Sequence, residues 1–129
     1  MQPHILHSHS RAGLIDAGDL VEVPWGVSNP TGLGRPVALS RAAWHAVMDG
    51  LDVERWPDMP DLVTETLLVE RATRTLRAAV QSVRDFQRNG DRGDRAPFNV
   101  PLYGLSLLLH IGPGDDGDPV LTVLMPDEV

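Results

Sequence analysis

The sequence predicts an α+β fold, with an antiparallel sheet of about four strands and two helices packed on one face. Residues 105–125 contain two apolar runs of strand length around a loop of Gly, Pro and Asp, a pattern typical of a β-hairpin. Shorter apolar segments near residues 20–23, 36–39 and 98–103 predict the other strands. Because an isolated hairpin is marginally stable in water, we expect these strands and a helix over 62–87 to complete the core.

Length and composition restrict the class of protein. A chain of 129 residues is expected to form one domain, residues 1–129, with a sizeable core. The absence of cysteine excludes disulfides, thiolate metal sites and a thiol nucleophile. No apolar run approaches the roughly 20 residues that cross a bilayer, and the N-terminus lacks a basic region followed by an apolar one. We therefore expect a cytoplasmic protein that does not enter membranes.

The charge distribution indicates which partners the surface favours. The formal net charge is −7, and the eleven basic residues are all Arg. Binding to nucleic acid through the whole surface requires concentrated positive charge, so the acidic balance argues against direct nucleic-acid binding. An acidic surface instead favours a basic protein partner.

The first 13 residues show no clear periodicity and predict a loose N-terminal arm. His4, His7 and His9 lie within six residues, a spacing that suits a transition metal. No cysteine or nearby acid completes a tetrahedral ligand set, so a polar terminus is the favoured interpretation. No cofactor is predicted for the chain.

The first two strands are separated by a long loop. Leu14, Ile15 and then residues 20–23 suggest a first short strand, which Pro24 ends. Residues 25–34 are rich in helix and strand breakers and predict an extended connection. The second strand, near 36–39, follows this loop.

Ser40 is a predicted helix N-cap, because its hydroxyl can accept a hydrogen bond from a free backbone N–H of the first turn. Apolar residues then recur at helical spacing and predict one buried face ending near Gly50, namely Trp44, Val47, Met48 and Leu51. His45 lies beside this face and is predicted to be solvated. In the acidic connector of residues 49–61, Trp56 is predicted to cover the edge of the core, with partner binding as the alternative.

The long helix over 62–87 is amphipathic, with Asp61 as its predicted N-cap and Glu65 near its positive end. One side is expected to contact the sheet and consists of Leu62, Val69, Ala72, Leu76, Ala79, Val80 and Val83. The opposite side becomes basic toward the C-terminus and contains Arg74, Arg77, Arg84 and Arg88. Interaction of Arg with the helix dipole explains most of this pattern, and an anion or partner surface is the alternative.

The hairpin carries the remaining candidates for chemistry. Asp115, Asp116 and Asp118 could ligate Ca²⁺ or Mg²⁺, although a solvated turn explains them better because the loop lacks EF-hand spacing. His110 precedes this loop by a few residues and is a candidate general base. Ser106 lies on the same face of that strand, but about 13 Å away, which is too far for a hydrogen bond.

Two stretches resemble a known group of proteins. PVALSRAAW at residues 36–44 and GPGDDGDPVLTVLMPDEV at residues 112–129 are similar to a family of small bacterial proteins with a domain of unknown function. Members of that family are often encoded on plasmids and phages. The resemblance implies that the chain comes from a mobile genetic element.

Three hypotheses for function follow. The preferred one is a non-enzymatic acidic protein that binds and inhibits a basic host protein, such as a nucleic-acid-binding defence component. The alternatives are a small metal-dependent hydrolase using His110 and the 115–118 loop, and a nucleic-acid-binding regulator using the Arg face of the long helix. An edge strand and an exposed Trp would also suit a homodimer. The candidate partner-binding residues are Asp115, Asp116, Asp118, Trp56, Arg74, Arg77, Arg84 and Arg88.

Overall fold

A mixed five-stranded sheet lies at the centre of the fold, which is seen in a computed structural model that describes residues 10–88, 90 and 93–128. The helices of the described residues are α1 (Arg11–Ala17), α2 (Trp25–Ser28), α3 (Arg41–Val47) and α4 (Leu62–Arg88). The strands are β1 (Leu20–Glu22), β2 (Val37–Ser40), β3 (Arg95–Val100), β4 (Leu105–Pro113) and β5 (Pro119–Leu124). Short 3₁₀ turns cover Asn29–Thr31, Pro101–Tyr103 and Pro126–Glu128.

The strands lie in the order β1-β2-β5-β4-β3. The predicted hairpin is confirmed, since β4 and β5 pair antiparallel with Pro113 opposite Pro119. The prediction of a purely antiparallel sheet of about four strands is wrong, because β2 and β5 pair in parallel, with Val37 opposite Leu121. Helix α4 carries the chain to the far edge of the sheet, and β3, β4 and β5 return as a meander that brings β5 beside β2 in the same direction.

One face of the sheet carries the main core. Helices α3 and α4 pack there, as predicted, and the fully buried residues include Trp44, Leu68, Leu76, Leu107, Leu109 and Val123. The predicted burial of Leu62 is wrong, since 81% of its surface is exposed. The buried residues of α4 begin only at Leu68. A helix of 27 residues is about 40 Å long, so the first turn of α4 extends past the sheet that it covers.

The other face of the sheet is covered by α1. Leu14 of α1 packs with Leu20 and Ala38, whose side chains point away from the main core. The predictions of helices on a single face, of a strand at Leu14 and of a loose arm as far as residue 13 are therefore wrong. Strand β2 is buried on both faces as a consequence. Residues 1–9, with His4, His7 and His9, lie outside the described residues.

Helix α1 forms because both of its ends are capped. The Ser10 Oγ accepts a hydrogen bond from the first turn. The carboxylate of Asp115, on the hairpin loop, accepts bonds from the backbone N–H groups of Arg11 at 2.7 Å and Ala12 at 3.0 Å. At the other end Gly18 adopts the left-handed conformation that ends helices. The cap from Asp115 also attaches α1 to the hairpin.

Other boundaries depend on local capping. The predicted N-caps are confirmed, since Ser40 accepts from Ala43 N at 3.1 Å and Asp61 accepts from Thr64 N at 2.8 Å. The predicted loop at 25–34 is partly helical instead, because it contains α2 and a 3₁₀ turn.

Strand β3 begins earlier and ends earlier than the predicted span of 98–103. It covers Arg95–Val100, and Pro101 begins a 3₁₀ turn because proline cannot donate to the ladder. No helix of the described residues has the length and apolar character that crossing a bilayer requires.

Candidate partner-binding groove

A groove of about 1040 Å³ lies along the β1 edge of the sheet. The end of α1 lies on one side of it, and the connector before α4 lies on the other side. Strand β1 lies between these two walls. We call this feature the β1 groove, and its lining includes Ile15, Asp16, Leu20, Val21, Glu22, Arg41, Glu54, Arg55, Trp56, Asp58, Pro60 and Glu65.

Carboxylates outnumber cations in the β1 groove. Its five acidic residues are Asp16, Glu22, Glu54, Asp58 and Glu65, against the two basic residues Arg41 and Arg55. The guanidinium of Arg41 is already engaged, since it donates to Gly18 O at 2.9 Å and lies 3.4 Å from Asp19. Because Arg41 is already paired within the protein, the groove presents a net negative charge to a ligand.

Glu65 is the carboxylate in this groove with the most constrained surroundings. It lies in the first turn of α4, where the helix dipole favours negative charge. Its Oε2 atom is buried and accepts no hydrogen bond from the described residues. A buried carboxylate oxygen without a donor is unfavourable, so this oxygen lowers the stability of the folded protein.

Trp56 positions the connector wall of the groove. Its ring is partly buried and lies 6.4 Å from the ring of Trp44, centroid to centroid. The Trp44 Nε1 donates to Val53 O at 2.6 Å, which holds the start of the connector in place. The predicted position of Trp56 at the edge of the core matches this packing, and the same side chain also lines the groove.

An exposed apolar patch adjoins the groove residues in sequence. Met59 is 93% exposed, Leu62 81% and Val63 69%. Met59 lies between Asp58 and Pro60, both of which line the groove. Three large apolar side chains exposed within five residues of the sequence are typical of an interaction surface.

The 115–118 loop is a structured turn. Both carboxylate oxygens of Asp115 accept backbone N–H bonds from Ala12 and Arg11, and these bonds lower the pKa of Asp115. Asp116 Oδ1 accepts from Asp118 N at 3.1 Å, a local bond typical of turns. Within the part of the chain that the structure describes, no group of three or more His, Asp or Glu is placed to hold a metal ion.

A shallow cleft of about 510 Å³ connects this loop to the β1 groove. Asp116 and Asp118 line the cleft together with Arg35 and Trp25. Glu22 lines both the cleft and the groove. The acidic loop is therefore continuous with the acidic groove on the surface of the protein.

His110 lies in a separate small cavity of about 230 Å³, with Arg11, Asp115 and Thr122. Only 9% of its surface is exposed, and its Nε2 lies 3.7 Å from Asp94 Oδ2. Arg11 donates to Thr122 Oγ1 at 3.0 Å and to Leu121 O at 2.8 Å, and burial lowers the pKa of its guanidinium.

The contacts in this cavity attach α1 to β5. Ser106 does not line the cavity, and its hydroxyl donates to Asn99 Oδ1 at 2.9 Å. His110 and Asp115 therefore line the same cavity, as the hydrolase hypothesis requires. Ser106 lies outside this cavity.

The basic side of α4 is exposed, as the sequence predicted, and does not line the β1 groove. Arg74 pairs with Glu70 at 3.5 Å, and Arg88 pairs with Asp85 at 3.6 Å. Arg77 and Arg84 form no ion pair with a described residue. The protein therefore presents two separate charged surfaces.

Sequence reasoning missed most of the groove. It noted the acidic connector and Trp56, but Asp16, Glu22 and Glu65 are far apart in sequence and become neighbours only through the fold. The signal that was available was the concentration of carboxylates in residues 49–61. No protein-family model, curated protein or solved structure matches this chain.

Proposed function

We propose that this chain is a non-enzymatic interaction protein that binds a basic segment of another protein in the β1 groove. The observation that carries the proposal is the charge of the β1 groove, which five carboxylates line against two basic residues. An Arg or Lys side chain of a partner donates hydrogen bonds to these carboxylates and neutralises the excess charge. Electrostatic complementarity of this kind raises the association rate and selects basic partners.

The apolar patch supplies the second component of the interface. Protein interfaces combine a hydrophobic centre with a polar rim. Met59, Leu62 and Val63 offer the apolar area beside the groove, and the carboxylates of the groove offer the charged part. A partner segment that carries basic residues next to an apolar residue fits both the carboxylates of the groove and the apolar patch.

The resemblance to plasmid and phage proteins suggests a biological setting for this proposal. A mobile element benefits from blocking host proteins that bind nucleic acid, and such proteins carry concentrated positive charge. We propose that the partner is a basic host protein of this type, whose basic segment the groove masks.

The test measures binding of a nine-residue peptide of alternating Arg and Val, labelled with fluorescein, by fluorescence anisotropy. We expect binding at low salt that weakens as salt is added, because added ions screen exposed charges. A triple variant, Glu54→Gln, Asp58→Asn and Glu65→Gln, removes three groove carboxylates. At ~0.5 kcal/mol for each exposed ion pair, the affinity should fall roughly tenfold.

The matched control changes three exposed aspartates that do not line the groove: Asp49→Asn, Asp52→Asn and Asp127→Asn. Both triple variants change the net charge by the same amount. The groove variant must therefore lose much more affinity than the control. Equal losses, or no binding of the peptide to the wild-type protein at low salt, would contradict the proposal.

A further inference from the structure

Trp25 lines the shallow cleft beside the 115–118 loop, which we call the Trp25 cleft, and 52% of its surface is exposed. The other two tryptophans belong to the core, since Trp44 is fully buried and Trp56 packs against it. The Trp25 side chain forms no hydrogen bond or ring contact with another described residue. A large aromatic ring left in solvent beside a cleft is typical of a binding surface.

The charge of the Trp25 cleft favours a cation. Four carboxylates line it, against the guanidinium groups of Arg11 and Arg35. Arg11 and Asp115 are already hydrogen-bonded within the protein. Asp116 and Asp118 are exposed, and the one bond that their carboxylates accept from a described residue is the turn bond to Asp116 Oδ1. These two carboxylates therefore remain available to a ligand in the cleft that Trp25 lines.

An aromatic ring and carboxylates in one cleft suit a guanidinium group. The face of an indole ring attracts a cation. The guanidinium of Arg is planar, so it stacks on aromatic rings and donates paired hydrogen bonds to a carboxylate. The ammonium of Lys is a compact and strongly hydrated charge that gains less from such a ring. The combination therefore favours Arg over Lys.

We propose that the Trp25 cleft binds an arginine side chain of the basic partner, with the guanidinium stacked on Trp25 and paired with the carboxylates of Asp116 and Asp118. This inference rests on the proposed function and adds the residue type that the partner presents. The position of the cleft supports it, because Glu22 lines both the cleft and the β1 groove, and Pro24, next to Trp25, also lines the groove. One basic segment therefore reaches both.

The first test is a cycle of two peptides and two proteins. The peptides are the Arg-Val peptide and a version with Lys in place of each Arg, and the proteins are wild type and Trp25→Leu. We expect wild type to prefer the Arg-Val peptide about fivefold, and Trp25→Leu to reduce that preference to about twofold or less, because the ring is lost while every carboxylate remains. An unchanged preference in Trp25→Leu would overturn the proposal.

Two further variants separate the ring from a general effect of substitution. Trp25→Tyr keeps an aromatic ring and should retain more of the preference for Arg than Trp25→Leu does. Leu102→Ser removes an exposed apolar side chain that lines neither the cleft nor the groove, and it should leave the preference unchanged. Thermal unfolding establishes that the variants are folded.

Arg35 supplies a test of the opposite sign. It lines the cleft and forms no ion pair with a described residue, so its charge repels a bound guanidinium. We expect Arg35→Gln to strengthen binding of the Arg-Val peptide about twofold at low salt. Unchanged or weaker binding would contradict a cation in the cleft, since an anionic ligand would require Arg35.

The third test leaves the protein unchanged, so it holds even if the Trp25 variants do not fold. The indole N–H of each tryptophan gives its own signal in a two-dimensional amide NMR spectrum. We expect saturating Arg-Val peptide to shift the Trp25 signal clearly more than the Lys peptide does. Equal shifts with the two peptides, or no shift, would overturn the proposal.

The outcomes separate this inference from the proposed function. If the triple variant of the groove loses affinity as expected, but the preference for Arg does not depend on Trp25, the cleft is excluded while the acidic groove keeps its role. If the Arg-Val peptide does not bind at all, both proposals fail together.

Discussion

Asp115 acts as a cap for a helix that is remote in sequence. Its carboxylate accepts the backbone N–H groups of Ala12 and Arg11 and lies 103 and 104 residues away from them in the chain. These hydrogen bonds favour the charged carboxylate and lower its pKa. A residue that the sequence offered as a metal ligand or partner contact thus has a structural role, which is to hold α1 on the hairpin.

We predict that Asp115→Ala lowers the melting temperature at neutral pH. The substitution leaves two N–H groups of the first turn of α1 without acceptors. The control is Asp118→Ala, since the Asp118 side chain accepts no hydrogen bond from a described residue, and it should change the melting temperature little. Equal melting temperatures for wild type and Asp115→Ala would show that the cap has no effect on stability.

The contribution of Asp115 to the stability of the folded protein must also depend on pH. Its pKa is lower in the folded state than the usual value of 3.8, so the folded state binds this proton less readily than the unfolded state. The stabilisation is therefore complete above about pH 4 and is lost as pH falls through the lowered pKa. The difference in melting temperature between wild type and Asp115→Ala should shrink as pH falls below about 4. A constant difference at all pH values would contradict this cause.

Ser40 supports a similar prediction at a buried position. Its Oγ accepts from Ala43 N at 3.1 Å and donates to Glu128 Oε1 at 2.5 Å. Ser40→Ala should reduce the free energy of unfolding by about 1 to 2 kcal/mol, the usual effect of losing an N-cap. Urea unfolding measures this change. Ser106→Ala, at an exposed hydroxyl, serves as the control and should cost less than about 0.5 kcal/mol.

At the scale of elements, the sequence predicted features that depend on neighbouring residues, such as N-caps and helical periodicity. It did not predict contacts between distant parts of the chain. Ser40 and Asp61 were recognised as N-caps because a cap and its helix are adjacent in sequence. The amphipathic pattern of α4 likewise predicted most of its buried face. Helix α1 was missed although its caps Ser10 and Gly18 are local, because it has only seven residues and its further cap, Asp115, comes from the other end of the chain. The parallel pairing of β2 with β5 was missed for the same reason.

Leu62 lies on the apolar side of α4, as periodicity predicted, but the side chain is exposed rather than buried. It continues the apolar side of α4, so periodicity predicted burial, but no sheet lies beneath the first turn of the helix. The groove was not predicted because Glu22 and Glu65 belong to elements that only the topology brings together. Periodicity reports which side of a helix is apolar, and it does not report what covers that side.

The exposure of Leu62 leads to a prediction about α4. Because the side chain is in solvent, Leu62→Ser should change the free energy of unfolding by less than about 0.5 kcal/mol. Loss of its apolar contact should weaken partner binding by about 1 kcal/mol, or roughly fivefold. Leu102→Ser, at another exposed leucine that does not line the groove, is the matched control and should leave binding unchanged. Equal effects of the two substitutions on binding would exclude the apolar patch from the interface.

At the scale of the whole molecule, opposite charges occupy different surfaces. The net charge of −7 is concentrated in part around the β1 groove and the 115–118 loop, while the exposed side of α4 carries Arg77 and Arg84. An acidic groove beside exposed apolar side chains favours a basic partner that also carries apolar residues. The basic side of α4 is the surface that a nucleic-acid partner would use instead.

The most direct measurement is a two-dimensional amide NMR titration of the full-length protein with the Arg-Val peptide. We predict that the largest chemical-shift changes occur at residues 16–22 and 54–65, with smaller changes at the 115–118 loop. Changes confined to α4 around Arg77 and Arg84, or spread evenly over the surface, would contradict the β1 groove as the binding site.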